Sequence, residues 1–96
     1  MRVLMLEPGQ DARMEKIPSD PAQLERILGG PAEITAPFES GILLVMLRDQ
    51  RGQRPNRLIG SRKVYGRCGV SLHGLDDLPA ALLERYRVRM DRCRLE

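Results

Sequence analysis

The chain has 96 residues, with 16 Lys and Arg against 13 Asp and Glu, one His and two Cys. A chain of this length forms one domain and buries a core without metals or disulfides, so we expect a single domain over residues 1–96. The apolar content of 42% and charged content of 30% exclude a disordered or fibrous protein. The longest apolar run has six residues, far fewer than the roughly 20 that cross a bilayer. No cleavage site follows the first apolar residues, which predicts a cytoplasmic protein without membrane contact.

Positive charge is concentrated in one segment. Residues 1–47 carry a net charge of −3 and residues 68–96 are neutral, whereas residues 48–67 hold seven basic residues and one acid, a net +6. The basic residues of this segment are Arg48, Arg51, Arg54, Arg57, Arg62, Lys63 and Arg67. Such an excess attracts phosphates or an acidic protein surface. An arginine-rich loop that only faces solvent has the same composition.

The first elements in chain order are two strands. Residues 2–7 are apolar on both faces, which is typical of a strand buried within a sheet. Pro8 and Gly9 end this strand with a turn. Residues 13–17 alternate in polarity and predict a short antiparallel partner at the sheet edge. The two strands are therefore predicted to form a hairpin.

A helix follows the hairpin. Asp20 is suited to accept hydrogen bonds from the exposed amides at a helix start, and Pro21 fits the first helical position. Residues 24–28 then provide one apolar face for the sheet. Gly29 ends the helix because glycine readily takes a positive φ.

The middle of the chain predicts a second hairpin and then a loop. Residues 32–38 and 42–47 form two antiparallel strands joined by a tight turn. Residues 48–57 contain no apolar side chain and predict a loop. Short apolar pairs at 58–59 and 64–65 follow in polar surroundings.

The last third predicts one strand and one helix. Residues 69–73 alternate again as a strand, with Val70 and Leu72 facing inward, and Asp76 and Asp77 open a helix with acids at its positive end. The apolar stripe of this helix consists of Leu78, Leu82, Leu83, Tyr86, Met90 and Cys93. Together the elements predict an α+β fold, a mainly antiparallel sheet of five or six strands with two helices packed on it.

The chain has few residues that could bind a metal or act as an acid or base, and their spacing does not match known metal-binding or catalytic patterns. One His and two Cys separated by 24 residues supply no pattern of metal ligands. Cys68 and His73 point to opposite faces of their strand, and Ser71 stands about 6.6 Å from His73 along it, too far for a hydrogen bond. We therefore predict a non-enzymatic protein without a metal or cofactor.

A nucleic-acid interface is supported by charge alone. Domains that stack bases interleave aromatic and basic residues, but Tyr65 is the one aromatic residue in the segment 48–67. Contact of this segment with the phosphate backbone alone stays an alternative, and it predicts strongly salt-dependent binding.

The sharpest local feature is the sequence over residues 54–60. Asn56 follows a proline, and this pair favours a turn. Arg57 precedes two apolar residues, which allows its side chain to be drawn inward to pair with Glu33 or Glu39. In the functional alternative, Asn56 and Arg57 are donors in a pocket for a small anionic ligand. The spacing leaves both interpretations open.

The order of short motifs along the chain is distinctive. They are Leu6-Glu7-Pro8-Gly9, Leu28-Gly29-Gly30, Glu33-Ile34, Pro37-Phe38, Pro55-Asn56-Arg57 and Gly66 before the last strand. In this order the chain, from about Val3 to Met90, resembles a family of small domains of unknown function encoded by bacteriophages, plasmids and other bacterial mobile elements. The positions that the resemblance marks are Gly30, Asn56, Arg57 and Gly66. The arginine-rich run over 48–67 departs from the family pattern.

The resemblance implies a genetic setting rather than an activity. Small proteins of phages and mobile elements often bind and block a host macromolecule, including defence systems. Our leading hypothesis is a non-enzymatic accessory protein that binds a host protein or protein complex with an acidic surface. The expected binding residues are Arg48, Arg51, Arg54, Asn56, Arg57, Arg62, Lys63 and Arg67. The alternatives are a phosphate-backbone binder and a small-anion binder, and the oligomeric state stays open.

Overall fold

The computed structural model describes residues 1–39, 41–72 and 79–95. Seven strands and two helices lie in these residues. In chain order they are β1 Arg2–Leu6, β2 Arg13–Lys16, α1 Pro21–Leu28, β3 Ala32–Thr35, β4 Ile42–Leu47, β5 Pro55–Ile59, β6 Arg62–Tyr65, β7 Cys68–Leu72 and α2 Ala80–Arg92. Five strands form an antiparallel sheet in the order β2-β1-β7-β4-β3, and β5 pairs with β6 in a separate two-stranded sheet. The predicted α+β class is confirmed.

The strand that comes last in the sequence lies at the centre of the sheet. β7 pairs with β1 on one side and β4 on the other, so that Val70 stands opposite both Leu4 and Leu44. Each of these partners brings its own hairpin neighbour, β2 beside β1 and β3 beside β4. The edge position predicted for residues 13–17 is therefore confirmed. The side chains of β1 are buried because both faces of the sheet are covered.

One face of the sheet is covered by α1. Leu24 and Leu28 of this helix pack with Val3, Met5 and Val45 of the strands in one buried cluster. The helix begins and ends by the predicted chemistry. The Asp20 carboxylate accepts a hydrogen bond from the Ala22 amide at 3.0 Å, and the residue after the last helical position is a glycine with a φ of 100°.

The opposite face is covered jointly by α2 and the β5–β6 hairpin. Alternating residues of a strand point to opposite faces, so Leu4 belongs to this second cluster while its neighbours belong to the first. α2 contributes Leu83, Tyr86 and Met90, and the hairpin contributes Ile59 and Val64. The predicted apolar stripe of the last helix is thereby confirmed for the described residues. Neither described helix is long and apolar enough to span a membrane.

Two predicted segments differ from the structure. The third strand ends at Thr35 rather than at residue 38. The loop predicted over 48–57 is wrong from Pro55 onward, because β5 begins there and pairs with β6 through an irregular register between Pro55 and Arg57. The polarity pattern concealed β5 because two of its buried side chains are polar. The predicted Asp76–Leu78 helix start lies outside the described residues.

The chain returns to β5 after α2. The Leu58 amide donates to the Cys93 carbonyl at 2.9 Å, and the Leu95 amide donates to the Asn56 carbonyl at 3.1 Å. These bonds place residues 93–95 along the side of β5 away from β6. The end of α2 is thereby tied to the hairpin.

Candidate functional site

The basic segment is divided among a loop and two strands. Residues 48–54 connect β4 to β5, and the rest of the segment lies on β5, on β6 or beside β7. The exposed members of the predicted binding set are Arg48, Arg51, Arg54, Arg62 and Lys63. The buried or half-buried members are Asn56, Arg57 and Arg67. The eight predicted residues therefore do not form one continuous site.

Carboxylates neutralise part of the exposed charge. Arg51 forms an ion pair with Asp49 at 2.7 Å, and its hydrogen bonds lower the pKa of the Asp49 carboxyl. The Nη2 atom of Arg62 lies 3.7 Å from a carboxylate oxygen of Glu33. Both pairs are solvent-exposed, so they contribute little to stability. They do reduce the net positive charge of this surface.

Arg48 and Lys63 present their charges at the surface. Both side chains are exposed, and Arg48 donates to the carbonyl of Ala32 at 3.5 Å. In the described part of the chain, neither residue has a carboxylate within ion-pair distance. These two residues are the clearest exposed donors for an anionic partner.

Asn56 is fully buried and bridges separate parts of the backbone. Its Nδ2 donates to the carbonyls of Leu6 at 2.9 Å and Gly66 at 2.7 Å. Its Oδ1 accepts from Nη1 of Arg57 at 2.6 Å. Asn56 therefore holds β1 and the residues before β7 against β5.

Arg57 is the largest fully buried side chain in the described part of the chain. Its Nε donates to the carbonyl of Met90 at 2.8 Å, and its Nη2 donates to the carbonyl of Gln10 at 2.7 Å. The Met90 carbonyl lies in the last turn of α2, where a cation is favoured. Burial lowers the pKa of the Arg57 guanidinium, but an arginine stays protonated in proteins. Nη2 also lies 3.9 Å from the Asp91 carboxylate.

The predicted carboxylate partners of Arg57 are wrong. The side chain is drawn inward as expected, but it binds backbone carbonyls rather than Glu33 or Glu39. Glu33 lies near Arg62 instead, and Glu39 accepts a hydrogen bond from a tyrosine hydroxyl of α2. Asn56 and Arg57 have no exposed surface. The geometry therefore favours a structural role for this pair over an open ligand pocket.

Glu7 joins two arginines that are distant in sequence. Arg67 donates from Nε to Oε1 of Glu7 at 2.9 Å, and Nη1 of Arg13 lies 2.5 Å from Oε2. The hydrogen bonds from Arg67, and then those from Arg13, hold the pKa of the Glu7 carboxyl below its ordinary value. Nη1 of Arg67 also donates to the Ile27 carbonyl at 2.8 Å. Arg67 thus links the turn after β1 to the end of α1.

A cleft of about 400 Å³ opens beside this arrangement. It is bordered by the turn after β1, the end of α1 and the segments 53–54 and 66–67. Arg54 and Arg67 belong to the predicted binding set, whereas Gln53 and the turn residues were not predicted. The motifs in the sequence pointed to this region, because Glu7 and Pro8 of the Glu-Pro-Gly motif and the glycine before the last strand border the cleft.

A second cationic surface, not singled out in the sequence, lies on α2. The guanidinium of Arg89 stands over the rings of Phe38 at 5.1 Å and Tyr86 at 5.7 Å. Arg85 forms an ion pair with Glu39 and also lies over the Tyr86 ring. These contacts attach the outer side of α2 to the residues that follow β3.

The two cysteines are unsuited to nucleophilic chemistry. Burial raises the pKa of the Cys68 thiol to about 12 and also raises the pKa of the Cys93 thiol. Because the thiolate is the nucleophile, these raised pKa values disfavour nucleophilic chemistry at neutral pH. His73 lies outside the described residues, so its predicted separation from Cys68 and Ser71 stays a prediction. The described residues contain no group of three or more His, Cys, Asp or Glu side chains placed to hold a metal ion.

Comparison with protein-family models, curated proteins and solved structures found no match to this chain. The resemblance to a family of mobile-element domains therefore stays a prediction from the motifs. The charges and contacts of the chain itself are the basis for assigning it a function.

Proposed function

We propose that this chain is a non-enzymatic accessory protein of a bacteriophage or other mobile element, which binds an acidic surface of a host protein in the bacterial cytoplasm. Inhibition of a host defence system is one role that such binding would serve. The genetic setting comes from the resemblance in sequence. The mode of action comes from the charges at the surface of the basic segment.

The observation that carries the proposal is the exposure of Arg48 and Lys63. Each presents a charge with no carboxylate at ion-pair distance among the described residues. A partner that supplies carboxylates would complete these pairs, and complementary charge steers association and selects partners. Arg57 does not take part, because it is buried and its donors are occupied inside the fold.

The pattern of charges favours a protein partner over a nucleic acid. Among the described contacts of the basic segment, three arginines that reach the surface lie at ion-pair distance from carboxylates: Arg51 from Asp49, Arg62 from Glu33 and Arg67 from Glu7. A surface of mixed sign suits a protein with its own mixture of charges, whereas a phosphate backbone favours a uniform basic stripe. Tyr65, the one aromatic residue of the segment, is half-buried.

Charge reversal tests the proposal. Tagged wild-type protein and the variant Arg48→Glu/Lys63→Glu are used to recover partners from a bacterial host lysate at low and moderate salt. Lys16→Glu/Arg26→Glu is the matched control, since both residues are exposed basic positions outside the segment. We expect the first variant alone to lose a partner that wild type retains. Equal recovery by all three proteins would contradict a role for this surface.

A nuclease step separates the two classes of partner. Recovery that survives nuclease treatment supports protein contact, and recovery that nuclease abolishes supports the phosphate-backbone alternative. Titration of labelled DNA and RNA at low salt completes the comparison. Binding to nucleic acid that weakens steeply with salt, and that is lost in Arg48→Glu/Lys63→Glu, would replace the protein-binding proposal.

A further inference from the structure

β3 forms one free edge of the five-stranded sheet, since β4 pairs with it on one side and no described strand pairs with it on the other. We propose that this edge binds an extended segment of the partner protein, which adds to the sheet as a sixth, antiparallel strand. The segment carries two adjacent apolar residues followed by carboxylates. The inference rests on the proposed function, because it names the binding mode and the chemistry of the same acidic partner.

The backbone groups of Ile34 point away from the sheet. Residues of an antiparallel strand alternate between those that bond to the neighbouring strand and those that face outward. The Arg48 amide donates to the Pro31 carbonyl at 2.9 Å, and the register of β3 against β4 continues from this pair without a break. The odd-numbered residues of β3 therefore bond to β4, which leaves the amide and carbonyl of Ile34 on the free edge. Neither group has a hydrogen-bond partner within the described residues.

The start of the same edge is closed at Ala32. Its amide donates to the Glu25 carboxylate at 2.7 Å, and its carbonyl accepts from Arg48 at 3.5 Å. Ala32 and Ile34 face the same way, so these bonds support the outward direction of the Ile34 backbone. An added strand therefore pairs at Ile34 and the residues after it, and the end of that strand near Ala32 lies beside Arg48.

Apolar groups lie on both faces of this edge. The Ile34 side chain is 57% exposed, more than any other large apolar residue of the described part of the chain. On the opposite face, a shallow cleft of about 270 Å³, the β3 cleft, opens beside the end of the strand. It is lined by Thr35, Ala36, Pro37, Leu44, Ile59 and Arg62, of which Leu44 and Ile59 belong to the buried core. Ligand pockets start at about 300 Å³, so the β3 cleft suits one aliphatic side chain rather than a whole small molecule.

These features define the chemistry of the added strand. Successive residues of a strand point to opposite faces, so one residue of the segment lies against Ile34 and its neighbour lies over the β3 cleft. Both are expected to be apolar, because cross-strand apolar pairs stabilise a sheet. The segment then reaches Arg48, which has no carboxylate at ion-pair distance in the described ranges. Backbone hydrogen bonds provide the affinity of such strand addition, and the side-chain positions provide its selectivity.

The other free edge of the sheet is less suited to this role. β2 holds Arg13, Glu15 and Lys16 among its four residues, and charged side chains of this kind protect edge strands from pairing. In β3, Glu33 is the one charged residue. β3 is therefore the edge that is open to a partner strand.

Proline substitution tests the two edges in a matched way. Ile34→Pro removes the outward amide of β3. Met14→Pro removes the corresponding amide of β2, where the bond from the Ile17 amide to the Met1 carbonyl places Met14 on the outward side. Neither substitution removes a hydrogen bond between strands, and proline is tolerated at such edge positions. Thermal unfolding checks that both variants are folded, and Ile34→Thr is a milder variant that keeps the amide but removes the apolar side chain.

The probe is the peptide Thr-Val-Val-Thr-Asp-Asp with blocked ends, titrated into the whole chain and followed by amide NMR spectra. We expect saturable shifts of the Glu33 and Thr35 amides in wild type and in Met14→Pro. Loss of one backbone hydrogen bond predicts about tenfold weaker binding to Ile34→Pro, with Ile34→Thr between these limits. The inference is overturned if this peptide gives no saturable shifts, if Ile34→Pro binds it like wild type, or if a peptide with threonine in place of both valines binds equally well.

Recovery from lysate distinguishes failure of this inference from failure of the proposed function. Loss of a partner in both Arg48→Glu/Lys63→Glu and Ile34→Pro, with retention in Met14→Pro, supports strand addition by that partner. Loss in the charge-reversal variant with full retention in Ile34→Pro would preserve the proposed function and overturn the role of the β3 edge. Binding of the peptide at β3 with equal recovery of every lysate protein by the charge-reversal variant would support the edge as a peptide-binding site and contradict the proposed function.

Discussion

Arg48 and Arg57 belong to the same basic segment but have opposite environments. Arg57 has no exposed surface and donates to carbonyls of α2 and of the turn after β1. Arg48 is exposed, with a 3.5 Å contact to one carbonyl. Both residues are arginines, so the residue type does not explain their different burial. The explanation is that the fold places backbone carbonyl acceptors around the Arg57 side chain and only one near Arg48. The net +6 of the segment therefore overstates the charge that is available to a partner.

Replacing Arg57 by Ala should produce the largest effect. The substitution removes the donors that Arg57 supplies to the carbonyls of Met90 and Gln10 and to the buried Oδ1 of Asn56. A buried polar group that loses its partner costs about 1–3 kcal/mol, so the loss of several such bonds at once removes a large part of the roughly 5–15 kcal/mol that stabilises a typical domain. Urea denaturation of wild type and variant measures the difference in the free energy of unfolding.

Arg57→Lys extends this test if Arg57→Ala does not fold. Lysine keeps the charge but lacks the planar fork that reaches several acceptors at once. We expect Arg57→Lys to unfold at a temperature between those of wild type and Arg57→Ala. An unchanged melting curve for Arg57→Ala would instead mean that this side chain is as free as Arg48.

Asn56→Asp is expected to have the next largest effect. Aspartate keeps the shape of the side chain but replaces its NH₂ donor with a second oxygen, which then faces the carbonyls of Leu6 and Gly66. Unsatisfied buried groups cost about 1–3 kcal/mol, so we expect a loss in this range in chemical denaturation. Asn56→Ala is the comparison, because it removes the donor without adding a charge. If Asn56→Asp is as stable as wild type, the buried donor is not what holds β5 in place.

Glu7→Gln should have a smaller effect that depends on pH. The folded-state pKa of Glu7 is lowered, so its contribution is complete above the unfolded-state pKa of about 4.3 and is lost as the pH falls through the folded-state value. We expect Glu7→Gln to lower the free energy of unfolding by about 1 kcal/mol at pH 7. The difference from wild type should shrink as the pH is lowered toward 3. A constant difference from pH 7 to pH 3 would show that Glu7 does not act through its charge.

The main elements of the fold follow from local patterns in the sequence. Alternating polarity located β2, and the chemistry of Asp20 and Gly29 set both ends of α1. β5 was missed because the rule that links burial to apolar residues fails at Asn56 and Arg57. The burial of these two side chains depends on backbone carbonyls of β1, of the turn after β1 and of α2. The sequence around Asn56 and Arg57 does not show that those carbonyls lie nearby in the fold.

The candidate site was only partly predictable for the same reason. Arg54 and Arg67 were identified from the local excess of charge, and both border the cleft. Glu7 lies 60 residues before Arg67, and its acidic side chain gave no indication that two arginines would neutralise it. The motifs indicated which segments were distinctive, but the pairing of β1 with β7 was needed to bring them together.

The smallest effect on stability is expected for Arg48→Gln/Lys63→Gln. Neither residue has a carboxylate at ion-pair distance in the described part of the chain, and surface substitutions of this kind change the free energy of unfolding by less than about 0.5 kcal/mol. Recovery of the partner should nevertheless fall, because the variant removes two charges from the proposed surface. Melting curves and recovery from lysate, measured on the same preparations, separate these two effects. If the variant melts well below wild type, Arg48 and Lys63 are structural residues like Arg57. If the variant keeps both its stability and its partner, the two exposed charges have no role in binding.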